Sequence, residues 1–141
     1  MTQNSTTLLL INKILHVFLQ DNVLTIKLLG DCFTDEIIQK LFEVVEIFYN
    51  ICKTKNKKFY TIYNFIDCKL INLPNYIYYV NDIVAFLKKH NDFYKTHLYS
   101  TLFITQTEIA KNLCNLVLSK YTPARPFKFI TKNDPISFDF E

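Results

Sequence analysis

A single glycine in a chain of 141 residues, Gly30, stands between a strand-like run and a helix-like run. Ahead of it residues 14–19 and 23–29 read as strands, and after it come three units, each a helix followed by a strand. A strand that turns sharply into a helix favours a residue that adopts positive φ without steric cost, and glycine is that residue. Strands alternating with helices imply parallel pairing through right-handed crossovers. The expected fold class is α/β: a single domain with a mostly parallel (βα) superhelix sheet, an N-terminal hairpin and three main helices largely on one face. The other face would then need another cover or a partner.

The patterning supplies the elements. Residues 8–19 and 23–29 flank Gln20-Asp21-Asn22, a turn-forming cluster that predicts a hairpin. In the second strand Leu24, Ile26 and Leu28 alternate with Thr25 and Lys27, as a half-buried strand requires. Thr34 suits an N-cap, and Asp35 and Glu36 place negative charge in the first turn, where the helix dipole favours it. Ile37, Ile38, Leu41, Phe42, Val45, Phe48, Tyr49 and Cys52 then follow the helical period. Residues 59–66 read as a strand, and Pro74 opens a second helix to about Lys89 with Ile77, Val80, Ile83, Val84 and Leu87 inward. Residues 98–104 are the next strand. Thr105 and Glu108 have the spacing of a capping box for a helix with Ile109, Leu113, Leu116, Val117 and Tyr121 inward, and 127–131 form a final strand. Residues 1–7 read as a disordered N-terminus, 8–131 as the domain, and 132–141 as an acidic, aromatic tail laid against the body through Phe138 or Phe140.

The length suffices for one core without disulfides or metal. Nine Tyr and thirteen Phe with no Trp give an aromatic-rich chain, and its Asn, Ile, Lys, Phe and Tyr usage resembles translation of an AT-rich genome, as in some large DNA viruses, some protists and some bacteria. The net charge of +3, with acidic residues mixed among basic ones, does not predict a nucleic-acid partner. Cys32, Cys52, Cys68 and Cys114 form no close metal-ligand or redox pair, so reduced thiols in a cytoplasmic setting, or a virion, are expected. No apolar stretch is long enough to span a bilayer. No cofactor is implied.

Loops after the carboxyl ends of parallel strands gather at one edge, where ligands tend to bind. Here these loops carry Asp31, Asp67, Cys68, Lys69, Asn72 and Gln106. The spacing of the two carboxylates is diagnostic of neither cation binding nor acid-base work, and short carboxylates commonly serve turns and caps. Cys68 precedes a helix whose dipole could activate a thiol, but no His is near in sequence, and buried thiols are usually structural. His16, His90 and His97 share no metal-ligand spacing. Lys53, Lys55, Lys57 and Lys58 read as a solvated loop. The second helix, with Tyr76, Tyr78, Tyr79 and Phe86 beside its inner stripe, is apolar over much of its circumference, which implies double burial or a contact surface.

Two opening strands, Leu28-Leu29-Gly30-Asp31, then alternating helices and strands, with Phe65-Ile66-Asp67-Cys68 at the next strand end, resemble a STAS domain of the anti-sigma-factor antagonist type over residues 8–131. Phosphorylated members of that family follow the Asp with a hydroxyl-bearing residue, whereas Cys68, Lys69 and Leu70 follow Asp67 here. The resemblance therefore implies a non-enzymatic protein-interaction module, able to self-associate, without the phosphorylation switch. Its expected surface joins Asp31, Asp67, Cys68, Lys69 and Asn72 to Tyr76 and Tyr79, facing a protein partner or a second copy. The competing resemblance is to a CRAL-TRIO lobe, which implies a carrier or sensor of a small apolar or lipid ligand held between helices and sheet.

Overall fold

The computed structural model describes residues 6–30, 34–69 and 73–140, and the side chains of all of these except Thr6 and residues 73–76. In chain order the elements are β1 (Thr6–Ile11), β2 (Leu15–Gln20), β3 (Val23–Leu28), α1 (Asp35–Lys55), β4 (Phe59–Asn64), α2 (Leu73–Lys89), α3 (Asn91–His97), β5 (Leu98–Ile104), α4 (Glu108–Lys120) and β6 (Phe127–Ile130). The six strands lie in one sheet in sequence order. β1, β2 and β3 pair antiparallel, and β3, β4, β5 and β6 pair parallel. This is the α/β single domain with an N-terminal hairpin that the order of elements predicts, enlarged by one strand and one helix.

The extra strand arises at Asn12. Its Oδ1 accepts from the backbone N–H of Ile14 at 2.9 Å and of Leu15 at 2.8 Å, an Asx-type turn that cuts the apolar run 8–19 in two. The extra helix, α3, follows α2 at His90 and turns Phe93 and Tyr94 into the core. α4 starts later than the capping-box reading places it: Thr107, not Thr105, is the N-cap, its Oγ1 accepting from Ala110 N at 3.2 Å. Thr105 is held by the sheet instead, donating its N–H to Ile130 O at 3.0 Å. Two residues assigned to inner helix faces, Ile77 and Ile109, are exposed.

Because each parallel crossover adds its strand on the same side, the helices share one face of the sheet. That face buries Leu15, Val17, Leu24, Ile26 and Leu28 under Ile38, Val45 and Tyr49 of α1, Val80 and Val84 of α2 and Leu113 of α4. The opposite face carries a smaller cluster, Ile62, Leu102, Ile104 and Ile130, against which Phe138 and Phe140 of the C-terminal tail pack. Phe138 lies 4.2 Å from Tyr60, ring centroid to centroid. Thr34 caps α1 through Ile37 N at 3.3 Å, and α1 ends at Asn56 in the left-handed conformation, which Asn tolerates. No helix among the described residues is long and apolar enough to cross a membrane.

Candidate functional site: an apolar cavity between helices and sheet

The inner stripes of α1, α2 and α4 do not close fully on the sheet. A cavity of about 130 Å³ lies between them, with a floor from Ile26, Leu28, Thr61, Tyr63, Thr101 and Phe103 and a roof that includes Leu41, Phe42, Phe86, Leu113 and Val117. The floor has a local cause for its depth. Thr61 and Thr101 are direct partners in the β4–β5 register, so two short side chains sit side by side beneath the helices. At one side Phe42 and Phe86 stack at 4.3 Å, fixing α1 against α2. The exposed lining residues are Arg125, in the connection from α4 to β6, and Phe127, the first residue of β6, so the mouth is at the amino ends of the parallel strands. Arg125 is the only arginine of the chain.

The polar groups of the cavity are mainly phenols. Tyr49 of α1 and Tyr94 of α3 bring their hydroxyls to 2.9 Å, and Tyr121 donates to Asn91 Oδ1 at 2.8 Å. Tyr63, on the floor, stacks on Phe103 at 5.4 Å. Burial pushes all four phenols above the ordinary tyrosine value, and for Tyr63 the neighbouring Tyr121 and Cys114 add to the effect. They are therefore uncharged hydrogen-bonding groups at neutral pH. Burial likewise pushes the Cys114 thiol up to about 12, with Cys68 adding to it, which keeps it protonated at neutral pH.

The residues singled out from the sequence are distributed differently. Asp31 and Asn72 lie outside the described residues, as does the side chain of Tyr76. Gly30 takes φ +56 and pairs with Cys68 as a parallel bridge, its N–H donating to Asp67 O at 2.9 Å while its own carbonyl accepts from Lys69 N at 2.8 Å. The loops after β3 and β4 are thus stitched together by backbone. Asp67 makes a half-exposed ion pair with Lys27 at 3.4 Å, a contact of small energetic weight. Cys68 and Tyr79 are buried, and Tyr79 donates to Asp35 Oδ1 at 2.9 Å, which ties α2 to the first turn of α1. Their burial leaves them little surface to offer a partner, whereas Ile77 and Tyr78 on the same helix are exposed. Among the described residues no group of His, Cys, Asp and Glu is arranged to hold a metal ion.

Sequence reasoning placed Tyr49 and Tyr121 on inner faces but treated them as apolar bulk. The available signal was chemical: a buried Tyr must find a partner for its hydroxyl, so inward tyrosines on three different elements point to a shared polar spot. Comparison of the chain with known protein families, with curated proteins and with solved structures finds no match.

Proposed function

We propose that this domain is a non-enzymatic binder of a small, largely apolar molecule, taken up in the cavity between the helices and the sheet. The cavity itself carries the reading. At about 130 Å³ it is close to the ~150 Å³ apolar cavity that suffices for a benzene ring and well below the ~300 Å³ at which drug-sized pockets begin. A single ring or a short branched chain fits it, and a full-length lipid does not.

The topology is compatible with both likenesses drawn from the sequence and does not choose between them. An antiparallel hairpin leading into βα units suits a STAS-like domain, and the cavity's place under the helices suits a CRAL-TRIO-like holder of a small apolar ligand. Titration calorimetry with cumene tests the proposal. Saturable binding is expected for the wild type and not for Val117→Phe, whose ring would occupy the cavity. Absence of saturable binding up to the solubility limit of cumene overturns it.

A second reading, contact with another protein or a second copy through the outer face of α2, is favoured by Ile77 and Tyr78, which are 50% and 69% exposed. Light scattering decides it: association is expected to weaken in Tyr78→Asp, and a wild type that stays monomeric at high concentration removes self-association.

A further inference from the structure

The hydroxyls in the cavity carry more protons than the protein accepts. Tyr49 and Tyr94 bring two phenolic protons to a single hydrogen bond of 2.9 Å, so one of the two remains undonated whichever residue is the donor. Tyr63 also lines the cavity, and no described residue accepts from its hydroxyl. Tyr121, by contrast, is satisfied by Asn91. Two phenolic protons thus face a mainly apolar cavity without a hydrogen-bond acceptor among the described residues.

We infer that the cavity selects a small ring or branched-chain compound bearing an uncharged hydrogen-bond acceptor, a carbonyl oxygen or a heteroaromatic nitrogen, held by Tyr63 and by the spare proton of the Tyr49–Tyr94 pair. This rests on the cavity reading and specifies its ligand class. The acceptor is uncharged because the surroundings disfavour negative charge: the same burial raises the pKa of each phenol, and a carboxylate placed beside them loses its hydration in the same way. The one arginine, Arg125, sits at the exposed mouth rather than among the phenols, so it does not offset that cost inside.

Three probes of nearly the same size and shape separate the possibilities. Acetophenone offers a neutral carbonyl, cumene replaces it with a methine and methyl, and benzoate replaces it with a carboxylate. By titration calorimetry, acetophenone is expected to bind the wild type about tenfold more tightly than cumene, the size of one good net hydrogen bond, and benzoate more weakly than either. Tyr63→Phe, which retains the ring, is expected to bring acetophenone towards cumene and leave cumene unchanged. Equal affinity of acetophenone and cumene in the wild type overturns the acceptor while the apolar cavity stands. Tightest binding by benzoate overturns the neutral class. Failure of all three to bind removes the cavity reading and this inference with it. These wild-type comparisons decide the matter even if Tyr63→Phe folds poorly.

Discussion

The hydroxyls of Tyr49 and Tyr94 meet at 2.9 Å in the core, joining α1 to α3 across 45 residues of sequence. Both side chains are almost fully buried, and Tyr49 is ringed by Phe59, Phe86, His90 and Phe93. This bond fixes the short helix α3, whose seven residues could not hold their own conformation in water.

Removing both hydroxyls should cost less than the sum of removing each alone. Tyr49→Phe and Tyr94→Phe are each expected to lose ~1–2 kcal/mol, because each leaves its partner's buried oxygen without its bond. Urea unfolding of the two single variants and the double variant measures this. The double variant should lose clearly less than the sum, and strict additivity would show that the bond does not form.

His90 gives the fold an acid sensitivity. Its ring is buried against Tyr49 and Phe86, and its Nε2 lies 3.5 Å from Glu46 Oε2 without a hydrogen bond among the described residues. Burial lowers its pKa below 6.5; Glu46 pulls the other way, and Lys89 and Lys53 push further down. A pKa depressed in the fold means that the unfolded chain binds the proton more readily. The stability His90 contributes is present above the unfolded value and is lost as the pH falls below it towards the folded one. Thermal unfolding between neutrality and about pH 5.5 should show a steeper loss for the wild type than for His90→Phe. Parallel curves would rule out the sensitivity.

Gly30 tests backbone strain apart from packing. Among the described residues a Cβ added there meets only Ile14 Cγ2, at 3.9 Å, so packing against them is not the obstacle; φ +56 is. Gly30→Ala is expected to cost ~1–2 kcal/mol, and Gly30→Asn distinctly less, since Asn visits the left-handed region more readily. Denaturant midpoints that ranked the two the other way would contradict this.

The tail is structural. Phe138 covers Tyr60 and, with Phe140, the apolar strip of Ile62, Leu102 and Ile104 on the helix-free face. Phe138→Ala is expected to lose about 1 kcal/mol, since a half-buried Phe recovers only part of the ~1.5–3 kcal/mol of full burial. Truncation after Pro135 should lose more and raise binding of an apolar fluorescent dye, and unchanged dye binding would argue that the strip is covered without the tail.

What the sequence made legible was whatever local chemistry decides. α1 could be read from Thr34, two acidic residues and an unbroken 3.6-residue stripe, and Gly30 from the strand-to-helix turn. The break at Asn12 was hidden because apolar residues flank it on both sides, and α3 because a helix of two turns shows too little periodicity. Thr105 and Thr107 both suit an N-cap, and only the pairing of Thr105 with Ile130 decides between them. The cavity could be anticipated only through the CRAL-TRIO resemblance, and its lining could not be read from the residues. It depends on Thr61 and Thr101 becoming neighbours in the sheet and on tyrosines from separate elements converging, and neither relation exists before the chain is folded.

The most direct test of the account is a heteronuclear NMR titration of the whole chain with acetophenone, followed on the methyl groups of Leu41, Leu113 and Val117. The account predicts saturable shifts on these cavity residues, with the methyl groups of the exposed Ile47 and Ile77 unmoved. Shifts that do not saturate, or that gather on Ile47 and Ile77 instead, would contradict it.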